Sequence, residues 1–358
     1  MSDNVKHSGQ VYTPRFLVTN ILDYVGYCGE GIIKRHIIDN SCGDGAFLCE
    51  IVKRYCSFST SSALDKKEQL EAYIHGIEID EDEHKKCLKR VSETAAAFGI
   101  TDVKWDIVCA DALQVSRYDG LMDYVVGNPP YVRVHNLTTT YNSVKQFDFA
   151  KRGMTDLYIV FFEIGFRMMS YNGKMCIITS SSWLTSSAGK ALRAYILNSR
   201  SLTGVIDLEH YQPFDATTYT IISRFENNSD SHKVEYCTYN ISLHERLYMC
   251  SLNIADMVID GAFYISAPES LKKLRKIKTT QTKQIVTVKN GFATLADKVF
   301  IGNFSFESHK IAVIKASTGV WSECFYPYDH SGKPLSWDDF TQDHLLVEFL
   351  YSNTLVSR

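Results

Sequence analysis

Val125-Val126-Gly127-Asn128-Pro129-Pro130-Tyr131 is the stretch from which the fold is read. Two β-branched apolar residues read as the buried end of a strand, and the prolines that follow end it because neither can donate to a ladder. Each proline also biases the residue before it toward extended geometry. Asn128 and Pro129 are therefore held stiffly with their oxygens available, beside the ring of Tyr131. A carboxamide oxygen and a peptide carbonyl next to an aromatic face make a receptor for a planar amino group. The same residues also describe a proline-terminated strand with a packed tyrosine, and the surrounding chain has to decide between the two readings.

Upstream, His36-Ile37-Ile38-Asp39 is a short apolar strand that ends in a carboxylate and runs into Asn40-Ser41-Cys42-Gly43-Asp44-Gly45 and a helix. Strand, glycine turn and helix form the first unit of a doubly wound sheet, in which Gly43 and Gly45 let the backbone approach a ligand closely. After an expected polar loop, Ser57 to Lys67, a second strand ends at Glu78, where a nucleoside-binding sheet holds ribose hydroxyls. A third strand ends just before Asp111. Asp39, Glu78 and Asp111 thus line one edge of the sheet, and the strand Asp123 to Gly127 delivers Asn128 to that same edge. Before these units, Thr13 and Pro14 read as the N-cap and first turn of a helix carrying Phe16, Leu17, Ile21, Leu22 and Val25.

Downstream, residues 132 to 154 lack periodicity and hold Arg133, Lys145, Lys151 and Arg152, a loop length that is usually functional. We expect these four cations to contact a nucleic-acid backbone. Thr155-Asp156-Leu157-Tyr158 opens an apolar helix, and strands at Lys174 to Thr179, Gly204 to Leu208, Tyr219 to Phe225 and Val234 to Tyr239 continue the alternation. The predicted fold class is α/β with a Rossmann-like sheet.

Composition narrows the class. At 358 residues, 45% hydrophobic and 22% charged, the chain is an ordinary globular protein longer than one typical domain. Residues 266 to 358 carry a net charge of +3 and the rest −6, so the C-terminal part is the relatively basic one. The ten cysteines include no CxxC pair and no His/Cys group at zinc spacing, which argues for reduced thiols and no metal. The N-terminus lacks a signal-peptide profile and no apolar run reaches membrane-spanning length. A soluble cytoplasmic protein is expected. Beyond Asn240 the pattern changes to a helix-prone stretch with the basic run Leu271 to Lys278, then short β-like pieces including Lys310 to Ile314. The expected boundaries are 1–240 for the catalytic unit, 241–282 for a helical connector and 283–358 for a third segment.

The motifs GQVYTP (9–14), DNSCGDGAFL (39–48), GIEID (76–80), CADAL (109–113), GNPPY (127–131), TDLYIVFFE (155–163) and NGKMCIITSSSWL (172–184) follow one another in that order. In this set the chain resembles the gamma-class, Eco57I/TaqI-like adenine-N6 DNA methyltransferases of restriction-modification systems. The resemblance covers about residues 9–225, and GFATLADKVFIG (291–302) looks like the opening of that family's target recognition domain.

The resemblance implies an S-adenosyl-L-methionine-dependent enzyme that methylates adenine N6 in double-stranded DNA after flipping the base. It places Tyr12, Thr13 and Pro14 over the methionine end of the cofactor and Asp39, Cys42, Gly43 and Gly45 in its glycine loop. Asn40 and Asp44 depart from the commoner Pro and Ser/Thr. Glu78 would bind ribose, Ile79 would pack on the cofactor adenine and Asp111 would bond its amino group. Asn128, Pro129, Pro130 and Tyr131 would be catalytic, with Asn128 also facing the cofactor. Asp156 and Tyr158 would line the pocket. The extruded base would stack between Tyr131 and Phe214, with Tyr211 the alternative to Phe214.

Only the last 76 residues, 283–358, remain for DNA recognition, fewer than a secure independent core generally needs. The expectation is a truncated recognition domain or one completed by a separate recognition or restriction subunit. The same NPPY corner also serves enzymes that methylate RNA bases or protein glutamine, and a non-catalytic subunit of a modification complex would keep the fold. The N-terminal GQVYTP, the basic loop and the C-terminal segment favour DNA. Intact Asn128, Glu78 and glycine loop favour an enzyme.

Overall fold

The computed structural model describes residues 13–132, 141–151, 156–209, 211, 213, 219–229 and 232–279, with the strands Lys310–Ile314 and Trp321–Phe325. Tyr12, Arg133, Arg152 and Phe214 lie outside the described residues, as does most of 283–358. The chain divides into two compact units, Met1–Thr280 and Gln281–Arg358.

Among the described residues, the first unit is built on a nine-stranded sheet in the order β3-β2-β1-β4-β5-β7-β6-β8-β9. Its strands are β1 (Ile37–Asp39), β2 (Ile74–Glu78), β3 (Asp106–Cys109), β4 (Met122–Gly127), β5 (Met169–Ser180), β6 (Leu202–Asp207), β7 (Thr220–Glu226), β8 (Lys233–Asn240) and β9 (Glu245–Asn253). β2, β1, β4 and β5 pair in parallel with their neighbours toward β3, while β7 is antiparallel to both β5 and β6. Strand order reverses beside β1, where Asp39 is in register with Gly76 on one side and with Val126 on the other. Such a switch point leaves a crevice at the carboxyl ends of the strands.

Period-two alternation explains why the central strands are apolar throughout. Ile38, Val125 and Ile177 feed one core cluster, and Ile37, Val126, Cys176 and Ile178 feed the other, on the opposite face. Both faces are covered, so neither set can be polar. Leu157–Met168 (α6 below) packs on the first face, supplying buried Ile159, Phe162 and Ile164. Helices α1 (Arg15–Val25) and α2 (Ala46–Phe58) cover the second face through Leu17, Ile21, Leu22, Leu48 and Ile51. Each such side chain contributes about 1.5–3 kcal/mol by burial. The remaining helices of this unit are α3 (Ala63–Tyr73), α4 (Glu81–Ala96), α5 (Tyr141–Val144), α6 (Leu157–Met168), α7 (Lys190–Ser199), α8 (Ile254–Met257) and α9 (Pro268–Thr279).

Several sequence expectations are corrected. The polar loop expected from Ser57 to Lys67 gives way to α3 from Ala63, capped by Ser62, whose side chain accepts from the Asp65 N–H. Only Leu70 of that helix is buried, so its apolar stripe is too thin to show as periodicity. Thr13 is not the N-cap of α1. Pro14 takes that position and its carbonyl accepts from Leu17 and Val18 at 2.9 and 3.2 Å. The strand expected at Lys174 to Thr179 is longer: α6 stops at Met168 and the chain enters β5 directly at Met169, with an irregular register between Met122 and Tyr124 of β4.

The connector expected as helical over 241–282 is helical mainly at its end. Ile241–His244 form a turn, and β9 then pairs antiparallel with β8 from Asn240↔Glu245 to Lys233↔Asn253. What decides β9 is the unpaired edge of β8, since Glu245–Met249 are exposed and carry no burial pattern. Within α9 the basic run is partly structural: Arg275 donates to the Ala255 carbonyl at 2.7 Å and pairs with Asp256, and Lys272 pairs with Glu269. In the second unit, Lys310–Ile314 pairs antiparallel with Trp321–Phe325.

Candidate functional site

The proline corner is where β4 stops. The strand ends at Gly127, and Asn128 is the first residue beyond it. Gly127 has φ +155°, and a Cβ there would lie 2.7 Å from Asp39 Oδ1. The glycine thus lets the end of β1 press its carboxyl against the corner. Pro129 is buried and Asn128 half-buried, with its carboxamide oxygen closed off from solvent. Tyr131 donates its hydroxyl to the Ile178 carbonyl on β5 at 3.3 Å, and its ring centroid lies 6.2 Å from that of Tyr158. Burial pushes the Tyr131 phenol well above its ordinary range, so the ring stays neutral. The Leu157 N–H donates to the Val132 carbonyl at 2.8 Å, tying the start of α6 to the corner.

One strand over, the glycine loop leaves β1. Gly43 and Gly45 both have left-handed backbones, φ +51° and +86°, for different reasons. A Cβ on Gly45 would meet Cys87 Sγ at 2.8 Å, so this glycine seats α2 on α4; a Cβ on Gly43 would stand in open space. Buried Cys42 donates its N–H to the Ile77 carbonyl at 2.9 Å. Glu78, at the end of β2, is buried and grips the loop: Oε2 accepts from Gly43 N–H at 2.8 Å and Oε1 from Asp80 N–H at 2.9 Å. Ile79 next to it is 66% exposed, an aliphatic surface open to solvent. Asp111 caps a short turn through Oδ1, accepting from Leu113 N–H at 3.0 Å.

The electrostatics of this edge are acidic. Burial pushes the Asp39 carboxyl up to about 8, opposed by the Ser41 N–H and reinforced by Glu78 and Asp44. Glu78 and Asp44 are raised as well, chiefly by burial, with backbone N–H groups and Arg90 respectively pulling them back. Beside them Asn40 Oδ1 and Ser41 Oγ are buried acceptors with no hydrogen-bond partner among the described residues. Carboxyls and buried oxygens crowded together at one edge offer many hydrogen-bond acceptors, which suits a ligand rich in hydroxyl and amino donors.

Asp39 gives a sign-definite pH effect. Its folded pKa of about 8 exceeds its ordinary 3.8, so between those values the folded chain keeps a proton that the unfolded chain has lost. The stabilisation from this proton is complete below 3.8 and is lost as pH rises toward 8. Asp39→Asn is expected to flatten the fall in urea midpoint between pH 5 and 8 relative to the unchanged chain. Parallel profiles would contradict the assignment.

The other predicted residues are placed as follows. Thr13 is buried at the start of α1 and Pro14 half-buried. Tyr211 is half-buried and packs 6.0 Å from the Phe16 ring, itself stacked on His244 at 4.5 Å. Tyr131 and Tyr211 both rest on the same apolar cluster. Lys145 donates to the Ala150 carbonyl at 2.9 Å and Lys151 pairs with Asp148, so neither is presented as a bare cation. Asp156 stands at the N-cap of α6 without a side-chain capping bond to that helix. Sequence reasoning gave no role to the hydroxyls of Ser180 and Ser182, which stand at and just beyond the end of β5 within the stretch 172–184. Among the described residues no group of three or more His, Cys, Asp or Glu could hold a metal, and no helix is long and apolar enough to cross a membrane.

Residues 45–214 match the family model described as Eco57I restriction-modification methylase. The chain is 29% identical to the Type II methyltransferase M.BstVI of Geobacillus stearothermophilus, over 60% of this chain and 41% of that protein. It is 25% identical to the Type II restriction enzyme and methyltransferase RM.Eco57I of Escherichia coli, over 81% of this chain and 36% of that one. Among solved structures, the cryo-electron microscopy structure of a DrdV–DNA complex shares the fold with a TM-score of 0.57 at 14% identity, covering 84% of this chain and 36% of that one. The chain spans about two-fifths of the length of the curated relatives it matches.

Proposed function

We propose that this chain, whose residues 45–214 belong to the Eco57I restriction-modification methylase family, is a site-specific DNA methyltransferase that uses S-adenosyl-L-methionine and acts on the N6 amino group of adenine in double-stranded DNA. The observation that carries the reading is the register Asp39↔Val126, because it brings the glycine loop and the Asn128 corner out on adjacent strand ends.

When bound, S-adenosyl-L-methionine supplies a methyl carbon made electrophilic by a sulfonium. The acidic, acceptor-rich edge fits that cation. Glu78 has a further lone pair on each oxygen for the ribose hydroxyls, Ile79 offers its exposed face to the adenine, and Asp111 lies at the next strand end. Asp39, Asn40 and Ser41 lie on the side of the Asn128 corner and are assigned to the charged methionine end, under Thr13 and Pro14.

At the corner, Asn128 Oδ1, closed off from solvent in the folded chain, is reached only when the groups that cover it move aside; it and the Pro129 carbonyl then accept the two hydrogens of the amino group. Exocyclic adenine nitrogen is a poor nucleophile because its lone pair is delocalised into the ring. Acceptors for both hydrogens favour a pyramidal nitrogen with a localised lone pair, and they stabilise the positive charge that grows on it as the C–N bond forms and the methyl C–S bond breaks, the neutral thioether leaving and one N–H proton then passing to solvent. A base inside a duplex cannot reach this corner and must be flipped out, with Tyr131 forming one wall of its seat. Phe214 is assigned to the other wall. The unit Gln281–Arg358 is assigned to target recognition.

The test is transfer of labelled methyl from S-adenosyl-L-methionine to three acceptors in parallel: duplex DNA, RNA and protein. Label in duplex DNA is the expected result. Label in RNA or on protein glutamine would move the chain to the other users of the NPPY corner, and none in any acceptor would favour a non-catalytic subunit.

A further inference from the structure

Behind Tyr131 the structure holds a second tyrosine with an unusual anchorage. Tyr158 is 1% exposed, and its ring lies against Tyr131 with the planes tilted by 37°. Its far side meets the edge of Phe162, which in turn packs edge-on to Trp183 and Phe225. The Tyr158 hydroxyl is 2.7 Å from Ser182 Oγ. Ser180 Oγ donates to Ser182 Oγ at 3.0 Å, and the Ser182 N–H donates back to Ser180 Oγ at 3.2 Å.

This chain of hydroxyls closes at the same strand that holds Tyr131. Ser180 is the last residue of β5, and Ile178, two residues earlier, accepts the Tyr131 hydroxyl. Tyr131 is therefore fixed at two points, by its hydroxyl on the β5 backbone and by its ring on Tyr158. Ser182 is itself at the surface, where water would satisfy its hydroxyl equally well. Its bond to a buried phenol is thus not required to keep the serine hydrated; together with the bonds of the same phenol to the Ser180 side chain and the Trp183 backbone, it fixes the tilt and depth of the Tyr158 ring.

We propose that Tyr158 and Ser182 are a positioning pair that sets the plane of Tyr131 and so the seat of the extruded base. Neither residue touches the reacting atoms. The inference deepens the methyltransferase reading and rests on it. Stacking geometry matters because displacement of a substrate by about 1 Å can cost about 10²-fold in rate.

The variants Tyr158→Phe and Ser182→Ala each remove one hydroxyl and keep the core volume, and the double variant completes a cycle. Sites methylated in plasmid DNA by the unchanged protein define a duplex, in which 2-aminopurine then replaces the target base. Each single variant is expected to lower the single-turnover rate about 10-fold and the 2-aminopurine emission of the bound duplex, with the double variant no worse than either single one. Affinity of the Ser182→Ala variant for S-adenosyl-L-methionine should not change, and Ser182→Thr should restore both readouts. A fall in melting temperature with rate and emission unchanged, or additive losses in the double variant, would make the pair merely structural and overturn the inference. Absence of transfer to DNA by the unchanged protein would instead remove the methyltransferase reading, and this inference with it.

Discussion

Asn128→Ala is expected to lower single-turnover methyl transfer by about 10³-fold, the upper range for loss of one preorganised polar group aimed at developing charge. Affinity for S-adenosyl-L-methionine should stay within about threefold, because the lost contact matters mainly in the transition state. The carboxamide oxygen is closed off from solvent in the folded chain. An acceptor in such surroundings acts at a lower effective dielectric than one in water, so the same charge on the amine is stabilised more. The rigid Pro129-Pro130 backbone keeps the second acceptor in place whatever residue occupies 128, so folding should survive the change. Near-normal transfer by the variant would remove Asn128 from the mechanism.

The second large effect is at Glu78. Glu78→Ala is expected to weaken S-adenosyl-L-methionine binding by about 2–3 kcal/mol, or roughly 30- to 150-fold, the range for hydrogen bonds to a charged acceptor. Two losses combine. The ribose hydroxyls lose their carboxylate, and the N–H groups of Gly43 and Asp80 lose the oxygens that hold the glycine loop open at 2.8 and 2.9 Å. Glu78→Gln separates them, since it keeps one oxygen for Gly43 or Asp80 but carries no charge. It should fall between the alanine variant and the unchanged chain in equilibrium binding. Wild-type affinity in the alanine variant would place the nucleoside elsewhere.

How much of this was readable in advance follows from the range of each interaction. The strand ends at Asp39, Glu78 and Gly127 were legible because proline, glycine and β-branched runs act on their own segment. The fixed φ of Pro129 and the glycine turn at Gly43 and Gly45 need no partner to be inferred. The need for glycine at 127 was not legible, because it comes from Asp39 across the β1–β4 pair. The raised carboxyl of Asp39 depends on the same meeting of distant segments. Likewise β9 exists because β8 offers an edge, and α3 because Ser62 caps a helix with one buried residue. The Ser182–Tyr158 bond joins residues 24 apart in sequence, and a run of serines carries no hint of it.

The central claim is that the Asn128 corner delivers an adenine amino group to a sulfonium methyl. Its most direct test is mass spectrometry of the nucleosides from duplex DNA that the protein has methylated. The account predicts a new N6-methyladenine peak, absent when Asn128→Ala replaces the unchanged chain. Methyl groups found on cytosine instead, or N6-methyladenine formed undiminished by the Asn128→Ala variant, would contradict it.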